Sequence, residues 1–177
     1  QSPFGEQYDS LADMLAFGVA PAILIYSFAL EPLGRIGIGC AFVFTACAAF
    51  RLARFNVQVG IVDKKYFVGL ASPLAAILVT SAVMVAVDHN EWIGKYDTAV
   101  MLLFAAWVVT CGLLMVSNVK YYSFKEFDKK KVPFVVLIIG VLVMSIVLYD
   151  IPVGILAIGI IYALSGIVTT IKTKVKS

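Results

Sequence analysis

Along this chain the charged residues fall in short clusters, and the stretches between them are almost wholly apolar. Six stretches carry no charged residue at all: 14–30, 36–50, 66–87, 98–119, 132–149 and 151–171. Their lengths are 17, 15, 22, 22, 18 and 21 residues. Crossing roughly 30 Å of bilayer hydrocarbon takes about 20 helical residues, with a working range of about 17–25. The second stretch alone is short, and it reaches 20 residues if its helix runs past Arg51 and Arg54 to Phe55. Lipid offers no hydrogen bonds to open backbone groups, so such segments are helices. The pattern predicts an all-α integral membrane protein, a bundle of six transmembrane helices forming one domain over residues 1–177. Pro21 lacks an N–H inside the first span and predicts a kink there. Ala12, Ala16 and Ala20 recur every four residues and predict a small-residue ridge that a neighbouring backbone could approach.

Composition narrows the class further. Hydrophobic residues make up 62% of the chain and charged residues 14%, where a soluble domain carries about 25% charged. An ordinary water-soluble globule, a disordered chain and a disulfide-rich secreted module are thereby excluded. Cys40, Cys47 and Cys111 all sit inside apolar stretches. They show no CxxC or Cys/His spacing and read as buried thiols. The chain opens on Gln1 rather than methionine, without a cleavable signal, and is expected to begin partway through a longer protein.

Net charge, at +3, is small; its distribution says more. Twelve basic residues fall on one side of the predicted spans: Arg51, Arg54, Lys64, Lys65, Lys120, Lys125, Lys129, Lys130, Lys131, Lys172, Lys174 and Lys176. Only Arg35 and Lys95 fall on the other. The positive-inside rule then places the N-terminal segment and the C-terminus in the cytoplasm. The acidic loop around Asp88, His89, Glu91 and Asp97 faces outward, so His89 receives no catalytic role. Residues 118–131 are expected to form a cytoplasmic loop carrying a short surface helix. Its lysines serve as topology determinants or attract anionic lipid headgroups.

Candidate chemistry concentrates just before the first apolar stretch. Asp9 and Asp13 are four apart, so on a helix they share one face, about 6 Å apart along the axis. Gly5 lies one further turn back on that face, giving Gly-x-x-x-Asp-x-x-x-Asp. A carboxylate entering a membrane span costs roughly 2.5–3.5 kcal/mol, so it lines a wet cavity or has a counterion. Two neighbouring carboxylates also repel. A divalent cation relieves both problems, and Mg²⁺ pairs carboxylates with substrate phosphates. The plainer reading is a helix N-terminus decorated with acids that the helix dipole favours.

The neighbours of these acids carry a resemblance. Phe4-Gly5-Glu6-Gln7-Tyr8-Asp9-Ser10-Leu11-Ala12-Asp13-Met14-Leu15-Ala16-Phe17-Gly18-Val19-Ala20-Pro21-Ala22 is similar to a segment of the CDP-alcohol phosphotransferases. Three more blocks resemble the same family in the same order: Arg51-Leu52-Ala53-Arg54-Phe55-Asn56, the stretch 67–76 and the stretch 114–125. Together they cover about residues 1–130 and look most like the branch whose acceptor alcohol is L-serine. There are two departures. The first half of the family motif, Asp-x-x-Asp-Gly-x-x-Ala-Arg, is absent, and no Asp-Gly pair occurs anywhere. Ala71 stands where that branch usually has proline. The six spans thus look like the last six helices of an eight-helix fold.

The resemblance implies transfer of a phosphatidyl group from CDP-diacylglycerol to the L-serine hydroxyl, with release of CMP. It implies a two-metal site holding Mg²⁺ or Mn²⁺, with Asp9 as a metal ligand and Asp13 as metal ligand and catalytic proton acceptor. Ser2 matches a hydroxyl residue that contacts the CDP moiety, and Gly5 leaves room for the diphosphate. Arg51 and Arg54, three apart, would bind an anionic part of a substrate, the serine carboxylate or the lipid phosphate. Alternatively they snorkel to lipid phosphates. Asn118, Lys120 and Tyr122 end another helix on the same side and could line the site. The implied partners are both substrates, membrane lipids and a second copy of the chain in a homodimer, with no nucleic acid. The implied location is integral to the membrane, the inner or plasma membrane if the cell is bacterial, with the active site on the cytoplasmic side. Two alternatives stay open: a sister enzyme using another alcohol, such as glycerol 3-phosphate or inositol phosphate, and a small membrane transporter.

Overall fold

In the computed structural model, residues 2–58, 66–88, 97–122 and 134–175 are described. The first span is a continuous helical rod from Gln7 to Leu33, longer than the uncharged stretch 14–30. It is built from α1 (Pro3–Met14), a π-helical segment Leu15–Val19, α2 (Ala20–Ile25), a second π-helical segment Tyr26–Leu30 and a 3-10 turn Glu31–Leu33. The first π segment answers Pro21. A proline N has no hydrogen for the carbonyl four residues back. One turn earlier the bonding widens by a residue, so that the Ala20 N–H meets the Leu15 carbonyl. The missing donor is absorbed in a register change, a common accommodation within helices.

The second span behaves as the pattern requires, with α3 (Arg35–Gln58) carrying both arginines in its last turns. The third starts later than predicted. Residues Tyr66–Val68 form a short strand, β1, and α4 runs Ser72–Asp88. Pro73 suits the first turn of α4, where its missing N–H is not needed. The fourth helix, α5 (Thr98–Val116), is capped by Asp97, whose carboxylate accepts from the Ala99 N–H at 3.0 Å. It ends before 119 because Lys120–Tyr122 form β2, antiparallel to β1 with Phe67 opposite Tyr121. The 118–131 loop reading is corrected there: it opens with a strand, while 123–131 lies outside the described residues. Two helices complete the order, α6 (Phe134–Tyr149) and α7 (Ile151–Val175), with Asp150 accepting from the Val153 N–H at the start of α7.

Among the described residues four helices are long and apolar enough to cross a bilayer: Gln7–Leu33, Arg35–Val57, Thr98–Val116 and Ile151–Thr170. The helices α4 and α6 are shorter, at 17 and 16 residues. The protein is all-α and integral to the membrane, with the two three-residue strands as a minor exception. Lys64, Lys65, His89, Glu91, Lys95, Lys125, Lys129, Lys130, Lys131 and Lys176 lie outside the described residues.

One apolar core runs through the bundle, from Ile25 and Phe44 through Val79 and Val108 to Met115 and Ala163. The helix α3 packs on α5, and α4 on α7. Ala12, Ala16 and Ala20 are all exposed, on a face of the rod that the core does not use. The small residues buried on this rod include Gly18, Ala22 and Ala29, with Gly18 set against Ala48 of α3.

At the end of the bundle where α3 stops, a clasp joins α4, α5 and α7. Gly69 takes φ 79° and gives its N–H to the Val119 carbonyl, and the Leu70 N–H reaches the Leu114 carbonyl at 3.0 Å. Tyr121 of β2 is fully buried, stacks on Tyr162 of α7 at 5.4 Å and donates its hydroxyl to the Ala163 carbonyl. Its ring lies where a side chain on Gly166 would have to go. Burial, with Tyr162 and Cys111 beside it, pushes the Tyr121 phenol up to about 12. It is therefore a neutral donor throughout the physiological range.

Candidate active site

The same end of the bundle gathers the predicted site residues. Ser2 is the N-cap of α1, its Oγ accepting from the Gly5 N–H at 3.2 Å. A serine cap satisfies one of the otherwise unpaired first-turn donors. Gly5 is exposed, and a Cβ there would sit 3.3 Å from that Oγ. Asp9 is exposed and Asp13 half-buried, where α1 meets the first π segment. Neither carboxylate makes a hydrogen bond or ion pair among the described residues. One residue after Asp9, Ser10 Oγ accepts from Asn56 Nδ2 at 3.0 Å, which ties α1 to the end of α3.

The two arginines differ in employment. Arg54 gives Nη2 to Asn118 Oδ1 at 2.9 Å and Nη1 to the Val116 carbonyl at 3.4 Å. It thereby satisfies a carbonyl at the C-terminus of α5, where helices leave such groups unpaired. Arg51 is half-buried and gives Nη1 to Ser72 Oγ at the start of α4, at 3.2 Å. Its Nε is buried and makes no hydrogen bond among the described residues. Buried polar groups are normally paired, so an orphaned guanidinium N–H calls for an explanation.

The structure thus places Ser2, Gly5, Asp9, Asp13, Arg51 and Arg54 on α1 and on the end of α3, two elements that pack together. Sequence reasoning anticipated Asn118 and missed Ser10, Asn56 and Ser72. The available signal was polarity: Asn56 and Ser72 each stand within the blocks that carried the resemblance, beside apolar neighbours. Among the described residues no three His, Cys, Asp or Glu side chains cluster to hold a metal. The Asp9–Asp13 pair nevertheless fits a hard divalent cation, since it offers only carboxylate oxygens and has no counterion among the described residues.

Residues 1–112 match the profile of the CDP-alcohol phosphatidyltransferase family. A CDP-diacylglycerol–serine O-phosphatidyltransferase of Helicobacter pylori is 39% identical over 125 residues, 71% of this chain and 51% of that protein. The protein of that name from Methanocaldococcus jannaschii is 34% identical over 171 residues, 97% of this chain and 72% of its own length. An archaetidylserine synthase of Methanothermobacter thermautotrophicus is 38% identical over 119 residues, 67% of this chain and 45% of that protein. The chain spans about half the length of several curated relatives it matches.

Proposed function

This chain belongs to the CDP-alcohol phosphatidyltransferase family, and from that premise we propose that it transfers a phosphatidyl group from CDP-diacylglycerol to L-serine. The observation that carries the reading is the Asp9–Asp13 face of α1, which has no hydrogen-bond or ion-pair partner among the described residues and packs beside the arginine-bearing end of α3. In the proposed step the serine hydroxyl oxygen forms a bond to the lipid phosphorus. The bond from that phosphorus to the CMP oxygen breaks, and the hydroxyl proton passes to the Asp13 carboxylate. Asp9 and Asp13 would hold Mg²⁺ or Mn²⁺, which when bound neutralises diphosphate charge and orients it for in-line displacement. Ser2 and Gly5, at the N-terminus of α1, are assigned to the CDP moiety, where a helix N-terminus favours an anion. Arg51 is assigned to the serine carboxylate, and Arg54 divides its donors between that end of the site and the α5 terminus.

The names of the relatives support serine as acceptor more firmly than any lipid donor. Two carry a phosphatidyl group and one an archaetidyl group, and all three carry serine. The test is CMP release on mixing the protein with CDP-diacylglycerol and each acceptor in turn. Release with L-serine and not with glycerol 3-phosphate is expected; the opposite preference would refute the serine assignment.

Two further outcomes follow. Arg51→Lys keeps the charge and loses the planar fork. A hydrogen bond to a charged group contributes about 1.5–3 kcal/mol, so the KM for serine should rise roughly 10- to 150-fold at normal protein level. An unchanged KM would leave Arg51 as a lipid-snorkelling residue. For sidedness, the proposal places the site in the cytoplasm on the twelve-to-two split of basic residues. Single cysteines at 64 and 125, in a background free of native cysteine, should be labelled from the cytoplasmic face, and one at 90 from outside. The reverse pattern would invert the orientation.

A further inference from the structure

Ser72 is 1% exposed, one of two fully buried polar residues among the described residues. The other, Ser81, bonds back to the Leu78 carbonyl within its own helix. Most hydroxyls in these helices do the same, as Thr45 does with Ala41 and Thr80 with Ala76. This is the usual resting place for a helical serine or threonine in lipid. Ser72 cannot adopt it. As the first residue of α4 it has no helical turn behind it to offer a carbonyl, and the chain before it is held in the Gly69–Leu70 clasp. Its oxygen is left to a side chain 21 residues away, the Arg51 guanidinium.

The geometry points to Ser72 as a positioning residue: it fixes the Arg51 guanidinium at the acceptor end of the site, and through it sets affinity for the carboxylate of the amino-acid substrate. This rests on the assignment of Arg51 made above. An arginine side chain has many rotamers, and holding one of them before the substrate arrives lowers the ordering cost of binding. With Nη1 engaged by Ser72 and Nε enclosed, the fork can turn only by breaking that bond. The ribbon-and-glycine clasp places Ser72, and Ser72 places the arginine. A role in affinity rather than in the chemical step follows, because Ser72 itself touches no reacting atom.

The test is a double-mutant cycle on the complete gene product in membranes, measuring KM and kcat for L-serine at saturating CDP-diacylglycerol. Ser72→Ala should raise the KM for serine about 10-fold, towards the lower end for a hydrogen bond to a charged group. The kcat should stay within about 2-fold, the protein level should be normal, and Ser72→Thr should restore most of the affinity. In an Arg51→Lys background, Ser72→Ala should change the KM little further, since the fork it positions is gone. Ser72→Cys, which removes the oxygen without opening a cavity, should match Ser72→Ala and guards against a folding artefact. An unchanged KM in both Ser72→Ala and Ser72→Cys, with Arg51→Lys still impaired, would overturn the positioning role alone. A KM increase of equal size with and without Arg51 would overturn it too. A normal KM in Arg51→Lys would instead overturn the assignment of Arg51.

Discussion

Asp13→Asn in the complete protein is expected to lower turnover at least ~10²-fold, the lower end of what general acid–base catalysis contributes. The substitution keeps the side chain's shape and removes both the negative charge and the proton-accepting oxygen. Asp13 is the half-buried member of the pair, at the junction of α1 and the first π segment, and makes no hydrogen bond or ion pair among the described residues. Loss of a structural partner therefore does not account for the expected effect, and the melting temperature should hardly move. Asp9, the exposed member, should behave differently. Asp9→Asn is expected to act chiefly on metal dependence, with activity partly recovered at high Mg²⁺. The two are separated by titrating Mg²⁺ in a CMP-release assay at saturating substrates. If both variants turned over near normally at low Mg²⁺, the acids would be no more than helix N-terminal charges favoured by the dipole.

How far the sequence could be read depended on the physics behind each feature. The spans were legible because lipid enforces a simple rule on length and charge, and α3 does run past Arg51 and Arg54 to Gln58. The end of the third stretch nearest the site was misread for the same reason. Tyr66, Phe67 and Val68 are as apolar as a helix in lipid, yet they form a strand. Hydrophobicity counts transfer energy and is blind to the pairing with Lys120–Tyr122, which is distant in sequence. At the site, Asp9, Asp13, Arg51 and Arg54 could be picked out because charge is costly near a membrane. The tie from Arg51 to Ser72 could not, since a serine in an apolar stretch is ordinarily satisfied by its own helix.

Gly69→Ala tests whether the clasp sets the geometry of the site. At φ 79° an L-residue with a side chain is strained by roughly 1–2 kcal/mol. The added Cβ would also run into the Met115 carbonyl oxygen, a backbone atom at the end of α5 that no rotamer change can move. Overpacking of this kind costs about 1–3 kcal/mol. The sum, about 2–5 kcal/mol, corresponds to a fall of roughly 4–20 °C in melting temperature for a chain of this size. Gly39→Ala is the control, because a Cβ there meets nothing within 4 Å. Adding a methyl group within α3 should leave stability unchanged or slightly raised. Thermal unfolding of both variants in the same detergent gives the comparison. Equal melting temperatures would mean that the turn relaxes without cost and that the ribbon imposes nothing on α4. If Gly69→Ala melts early as expected, protein that remains folded at low temperature should also bind serine more weakly. Gly69 holds the segment leading into Ser72, and Ser72 holds Arg51.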